Sequence, residues 1–255
     1  EGNILEKKYP VFSDFSDLNA SFDVLFTLGG DGTILRAVTY IRDLNIPVLG
    51  INTGRLGFLA TINKKNIEES IHLLLNGAYS IQERTLLTVK TTPKTPAIYE
   101  LNFALNEVTI ARKNTTSMIG IKTCLNEEYL TNYWADGLII ATPTGSTGYS
   151  LSCNGPVISP DSKNVVITPI APHNLNARPM VIADDTEIKL TIDSREKDFL
   201  ISLDSRITTV AKNTVVHIQK APFTIKSIIP KNQSFLQTLR TKLLWGEDTR
   251  NETNL

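Results

Sequence analysis

The chain has 255 residues, 41% of them hydrophobic and 20% charged, which is enough for one large domain or two modest ones. Lysine plus arginine and aspartate plus glutamate both total 26, so the balance favours neither nucleic acid nor an anionic membrane surface as a partner. Apolar runs such as 138–141 and 165–167 fall far short of the roughly 20 residues of a membrane span, no secretory signal or lipidation motif is present, and the two cysteines, Cys124 and Cys153, are too few for a disulfide framework or a zinc site and fit a reducing cytoplasm.

Residues 1–21 are polar and weakly patterned, and the chain opens at Glu1 rather than at methionine. The first clear strand, 24–28, already leads into Gly29-Gly30-Asp31-Gly32 and a helical pattern over 33–42. A nucleotide fold usually has a strand and a helix upstream of such a unit, so a longer natural protein, or a trimmed form of it, is expected. Residues 47–51 predict a second buried strand. Residues 66–75 predict an amphipathic helix with Ile67, Ile71, Leu74 and Leu75 on its apolar face. This alternation over 22–91 is α/β order and predicts a parallel, Rossmann-like sheet. Thr92-Pro93-Lys94-Thr95-Pro96 reads as a hinge or turn.

Beyond residue 97, short alternating runs at 101–110, 118–125, 187–192, 199–203, 214–218 and 223–229 predict an all-β, sandwich-like architecture, with Asn126-Glu127 as a hairpin turn. A last helix over 234–244 carries Phe235, Leu236, Leu239, Leu243 and Leu244, and so needs a docking partner. The pattern divides the chain into an α/β part over 1–91, a β-rich part over 92–233 and a final helical segment over 234–255.

A buried strand that feeds a glycine-rich turn and then a helix is a natural phosphate cradle. The glycines let backbone approach the phosphate, and the helix start offers free N–H groups. Asp31 sets this loop apart. A carboxylate repels phosphate unless a metal intervenes or it is aimed at a hydroxyl, which points to phosphoryl transfer with Asp31 as base or metal partner. Its position predicts a carboxylate exposed at the mouth of the loop. The plainer reading is turn chemistry, with Asp31 as a helix cap. The motif resembles the phosphate loops of NAD kinases, of diacylglycerol and sphingosine kinases and of phosphofructokinases, so alone it leaves the substrate open.

A second loop narrows the choice. A predicted strand, 138–141, runs into Thr142-Pro143-Thr144-Gly145-Ser146-Thr147-Gly148, and Tyr149 follows at once. Packed hydroxyls and glycines suit phosphate or ribose oxygens, and an adjacent aromatic can stack on a base. A Ser/Thr-rich turn capping a short helix is the plainer alternative. Taken together, Leu-Gly-Gly-Asp-Gly-Thr (28–33), Gly-Ile-Asn-Thr-Gly-Arg-Leu-Gly-Phe-Leu (50–59), Asn106-Glu107, the stretch 136–156, Thr-Pro-Ile-Ala-Pro-His-Asn-Leu (168–175) and Arg178-Pro179 resemble the NAD kinase family, in family order and across most of the chain.

The resemblance implies an α/β N-terminal domain and a β-sandwich-like C-terminal domain with the active site between them, and a C-terminal helix, within 234–255, that returns to the first domain. It also implies homodimers or homotetramers in which a neighbouring subunit helps complete the NAD site. The implied reaction moves the γ-phosphoryl group of ATP, with a divalent metal such as Mg²⁺, to the 2′-hydroxyl of the adenosine ribose of NAD. By resemblance Asp31 is the base, Gly32 lets NAD approach and Arg36 meets phosphate. Asn106 and Glu107 match ligands of the adenine and ribose, and Asp136 matches an acid that holds the nicotinamide-side ribose. Thr147, Gly148, Tyr149, Ser150, Leu151 and Ser152 line the dinucleotide, with Tyr149 against a ring, and Ala171 supplies a backbone contact near the nicotinamide. No protein metal ligand is expected.

Three positions depart from the family pattern. Ala135 stands for glycine, Gly148 for alanine, and Asp204-Ser205-Arg206 for Asp-Gly-Gln. The last puts a cation at a ligand-facing position and could favour a phosphate-bearing ligand. His72 and His217 read as structural or solvent-facing. His173 lies in a matched segment and could be near the site, and Tyr133 and Trp134 either wall the site or fill the core. Two other readings compete: a lipid kinase, which would need an acyl groove, and a non-catalytic NADP-binding sensor, which would have little use for Asp31.

Overall fold

A computed structural model describes residues 9–114 and 117–246. The elements run β1 (Leu25–Leu28), α1 (Asp31–Ile41), β2 (Val48–Asn52), β3 (Ile62–Asn63), α2 (Ile67–Leu75), β4 (Tyr79–Thr92), α3 (Pro96–Tyr99), β5 (Phe103–Ala104) and β6 (Glu107–Arg112). They continue with β7 (Ile119–Leu125), β8 (Glu128–Ala135), β9 (Gly137–Ala141), α4 (Tyr149–Ser152), β10 (Asn164–Ile170), β11 (Met180–Ala183), β12 (Ile188–Asp193), β13 (Asp198–Leu203), β14 (Arg206–Ala211), β15 (Val215–Pro230) and α5 (Phe235–Leu243). Two compact units result: Glu1–Gln82 with Ile225–Leu255, and Glu83–Thr224. The sequence reading places the boundaries at 91/92 and 233/234.

The first unit is α/β. β1 lies parallel to β2, with Leu25 opposite Val48 and Leu28 opposite Ile51. β2 is parallel to β3, and Ser227 of β15 pairs with Val48. β2 is buried at every position, as a central parallel strand covered on both faces should be. Leu49, Ile51, Ile62 and Ile228 form its core, with Val24, Ile67, Leu74 and Tyr79 packed against them. α1 buries Ile34, Ala37, Val38 and Ile41, one stripe at helical spacing. α5 starts at a Ser234 cap, whose hydroxyl accepts from the Gln237 N–H at 3.2 Å, and belongs to this unit. Its Phe235 ring lies 6.3 Å from that of Phe58. Only part of the expected apolar face is used: Leu239 is buried, while Leu236 and Leu244 stay exposed.

The second unit is all-β. One six-stranded antiparallel sheet has the order β11-β10-β9-β6-β13-β14, and facing it β15, β12, β7 and β8 pair in that order, again antiparallel. Side chains alternate inward from both sheets. Ile110, Leu138, Ile167, Phe199 and Ile201 from the first meet Ile119, Ile121, Leu190 and Val216 from the second in one buried core. The β7–β8 hairpin turns at Asn126 and Glu127, both left-handed (φ 48° and 66°). Residues 93–95 link β4 to α3 within this unit. The runs at 214–218 and 223–229, expected as two strands, are one 16-residue strand, β15, because Gln219, Lys220 and Pro222 disturb the alternation without ending the ladder.

Candidate functional site

Each unit carries one of the two loops. In the first, the Gly29 N–H donates to the Ile51 carbonyl at 3.0 Å and ends β1, and Gly30 precedes α1. Asp31 is therefore the first helical residue. Its carboxylate neither caps the helix nor stands open at the loop mouth as the sequence suggests. Oδ2 accepts from the Phe58 N–H at 2.9 Å, and Oδ1 accepts from the Leu59 and Ala60 N–H groups at 3.0 and 2.9 Å. The donors belong to the matched segment 50–59 and the residue after it, and the segment's own shape comes from Asn52. The buried Asn52 amide donates to the carbonyls of Arg55 and Ala60 and accepts from the Gly54 N–H. Gly57 is required here, because a Cβ would fall 1.8 Å from Asp31 Oδ1. The Asp31 side chain keeps 29% exposure, and Lys242 Nζ lies 3.9 Å from Oδ2. Gly32 and Arg36 are exposed on α1.

In the second unit, Asn106 and Glu107 sit where β5 passes into β6. The Asp204 carboxylate fixes them by accepting from the N–H groups of Leu105, Asn106 and Glu107 at 3.0, 2.8 and 3.2 Å. The Thr142 hydroxyl donates to the Leu105 carbonyl at 2.6 Å, and the Thr142 N–H donates to the Asn106 carbonyl, so the second loop is stitched to the same backbone. Gly145 packs on it so closely that a Cβ would lie 2.1 Å from the Asn106 carbonyl oxygen. The Ser146 hydroxyl holds Ile158 and stays buried.

Two side-chain oxygens in this cluster, Asn106 Oδ1 and Glu107 Oε2, are buried without a hydrogen-bond partner. An unmade bond at a buried polar atom costs about 1–3 kcal/mol, so both oxygens are free to take a hydrogen bond from a bound group. Burial first, and the Asp204 carboxylate second, push the Glu107 carboxyl up to about 8, while the Tyr149 N–H pulls it down. The neutral form of Glu107 is thus favoured well above the usual carboxylate range. It lies beside Gly148, where a Cβ would be 3.2 Å from Oε2.

Tyr149 opens α4 and is 46% exposed. Burial, then Cys153, Asp136 and Glu107, push its phenol up, so both carboxyls lie within electrostatic reach of the ring. Asp136 forms a 2.9 Å ion pair with Arg112, a partner the motifs do not reveal. Thr147 donates to the Thr144 carbonyl at 3.3 Å. Ser150 faces inward, its hydroxyl 2.8 Å from that of Thr168, so it shapes α4 rather than facing outward. Leu151 is half-buried and Ser152 exposed. Ala171 is exposed and left-handed (φ 43°), so its backbone is turned out of the β10 ladder. Next to it the His173 N–H donates to the Trp134 carbonyl, and the two rings are 5.5 Å apart. Tyr133 is core, whereas Trp134 is 54% exposed.

Arg206, 31% exposed at its side chain, is engaged by backbone carbonyls. Its guanidinium donates to the Leu101 carbonyl at 2.8 Å and to the Phe103 carbonyl. It therefore braces the strand that leads into Asn106. Asp204, reached in the sequence only as a family position, is the residue that organises the cluster. Its carboxyl is pushed up by burial, against the pull of three N–H donors and Arg206. Among the described residues no three His, Cys, Asp or Glu side chains gather where a metal ion could be held.

Known proteins resemble the chain in both sequence and fold. The sequence model of the ATP-NAD kinase N-terminal domain matches residues 8–79, and that of the ATP-NAD kinase C-terminal domain matches 105–230. An NAD kinase of Christiangramia forsetii is 58% identical over 98% of this chain and 85% of its own length. One of Cytophaga hutchinsonii is 46% identical over 97% of this chain and 84% of its own length. Among solved structures, yeast NADH kinase complexed with NADH superposes with a TM-score of 0.82 at 25% identity, covering 90% of this chain and 69% of that one. An NAD kinase from Archaeoglobus fulgidus in complex with ATP gives a TM-score of 0.75 at 26% identity, covering 88% of this chain and 84% of the other. With both domains matched and relatives of this identity spanning nearly the whole chain, the protein belongs to the ATP-NAD kinase family.

Proposed function

We propose that the chain catalyses transfer of the γ-phosphoryl group of ATP to the 2′-hydroxyl of the adenosine ribose of NAD, giving NADP and ADP. The observation that carries the reading is the pair of buried, unpartnered oxygens on Asn106 and Glu107, set beside the exposed Tyr149 ring in the matched segments. Asn106 Oδ1 accepts from a base amino group, the protonated Glu107 carboxyl exchanges hydrogen bonds with ribose or base, and Tyr149 stacks on a ring. Asp136, oriented by Arg112, holds the second ribose. Thr147, Gly148, Leu151 and Ser152 line the dinucleotide, and the Ala171 backbone contacts the nicotinamide.

The hydroxyl oxygen bonds to the γ-phosphorus as the bond from that phosphorus to the ADP oxygen breaks, and the hydroxyl proton passes to Asp31. Such a loose transfer asks the protein mainly for positioning and charge. A divalent metal such as Mg²⁺ would come with the ATP and would supply neutralisation of the triphosphate charge. Three N–H groups already occupy the Asp31 carboxylate, which leaves one acceptor site on Oδ2 for the hydroxyl proton.

The protein acts in the cytoplasm, in keeping with two free cysteines, and as a homodimer or homotetramer. Exposed Tyr129 and Trp134 on the terminal strand β8 support self-association. Purified protein with NAD and MgATP should form NADP, and light scattering should show an oligomer. Phosphorylation of diacylglycerol or sphingosine with no NADP formed would replace this reading with the lipid-kinase one, and nucleotide binding without turnover would replace it with the sensor.

A further inference from the structure

We infer that Lys242, on the last turn of α5, is a further catalytic residue: its ammonium hydrogen-bonds the phosphoryl group being transferred. The inference rests on the reading of the Asp31 loop as the phosphate site.

A carboxylate has about four lone-pair sites for hydrogen bonds. In Asp31 both sites of Oδ1 are taken, by Leu59 and Ala60, and one site of Oδ2 is taken by Phe58. The single open site is on Oδ2, and Lys242 Nζ lies 3.9 Å from that oxygen. The acceptor for the ribose proton and the ammonium therefore share one corner of the loop. At 3.9 Å the ammonium makes no hydrogen bond to the carboxylate, so the pair does not engage its donors. The Phe58 ring holds it instead, with Nζ 4.6 Å from the ring centroid, and Phe58 packs on Phe235 of the same helix. A cation fixed over a ring face keeps its N–H groups free for a ligand.

Stability does not account for this placement, since half-exposed pairs contribute about 0–1 kcal/mol. Chemistry does. An incoming triphosphate meets a carboxylate at this loop, and among the described residues the one ion pair made by Asp31 is to Lys242. No bond forms or breaks at Lys242. Its N–H groups bond non-bridging oxygens as charge spreads over them in the transition state.

Lys242→Met keeps the stem and its contact with Phe58, and Lys242→Arg keeps the charge. The Met variant should lower kcat about tenfold or more, with KM for NAD changed by less than about threefold, and the Arg variant should recover most of the loss. Both should melt close to wild type. Inorganic tripolyphosphate, titrated by calorimetry, should bind the Met variant about tenfold more weakly. This binding measurement decides on Lys242 even if wild type makes no NADP, a result that would count against the kinase reading alone. Unchanged tripolyphosphate affinity in the Met variant, or an Arg variant as slow as the Met variant, would overturn the inference.

Discussion

Glu107 gives the most searching test of the dinucleotide cluster, because its protonation is a property of the fold. Burial and the Asp204 carboxylate raise its carboxyl from 4.5 to about 8. At about 1.4 kcal/mol per tenfold change in proton affinity, that is roughly 5 kcal/mol, and partial exposure of the residue reduces it to about half, roughly 2–3 kcal/mol. The sign follows from proton counting. Between about 4.5 and 8 the folded chain keeps a proton that the unfolded chain has lost, so this group's stabilisation is complete below the lower value and is lost as pH rises through the upper one. Glu107→Gln keeps the size and the hydrogen-bonding atoms of the protonated acid and does not titrate. Urea unfolding followed by tryptophan fluorescence should therefore show wild type losing about 2–3 kcal/mol more than the variant between about pH 5 and pH 8.5. Parallel pH profiles for the two proteins would show that Glu107 is ionised in the fold, and the reasoning from burial and Asp204 would fail.

Other substitutions probe the remaining parts. Asp31→Asn should cut kcat by about 10²–10⁴, and because an amide in place of Oδ2 cannot accept from the Phe58 N–H, it should also cost about 1–3 kcal/mol in denaturant unfolding. A kcat within a few-fold of wild type would reduce Asp31 to a tether for residues 58–60. Tyr149→Ala should weaken NAD binding by about 1–3 kcal/mol by calorimetry while leaving unfolding unchanged, and an unaltered dissociation constant would show that the ring does not stack. Gly145→Ala drives a Cβ into the Asn106 carbonyl and should raise KM for NAD at least tenfold through the displaced Asn106-Glu107 pair, or else the packing there is looser than described.

The sequence shows most clearly what is local. The run that ends at Gly29 and the periodicity of α1 are contiguous signals, and β1 and α1 lie within two residues of their expected bounds. The hairpin at Asn126 was legible from asparagine's tolerance of the left-handed region. β4 was not, because Ser80, Gln82, Glu83 and Arg84 hide its alternation, and β15 was split by its polar middle. Within the site, residue types could be named but not their partners. Asp204 clamps residues nearly one hundred positions away, and Lys242 approaches Asp31 from the far end of the chain. The Leu101 and Phe103 carbonyls that engage Arg206 lie about one hundred positions away, so the sequence does not reveal them as its partners.

Asp31 and Asp204 share one device in different units: each carboxylate gathers the N–H groups of three consecutive residues, 58–60 in one case and 105–107 in the other. Convergent amides of this kind make a concave receptor for an anion, here filled by the protein's own side chain. Truncating either aspartate to alanine should leave a small vacant receptor that takes up formate or acetate from solution. Unfolding temperatures of such variants would then rise with added formate and stay flat with a bulkier carboxylate of equal ionic strength. In an acetate buffer an alanine variant at Asp31 would be a chemically complemented protein rather than a blank, and its residual turnover would measure the borrowed carboxylate.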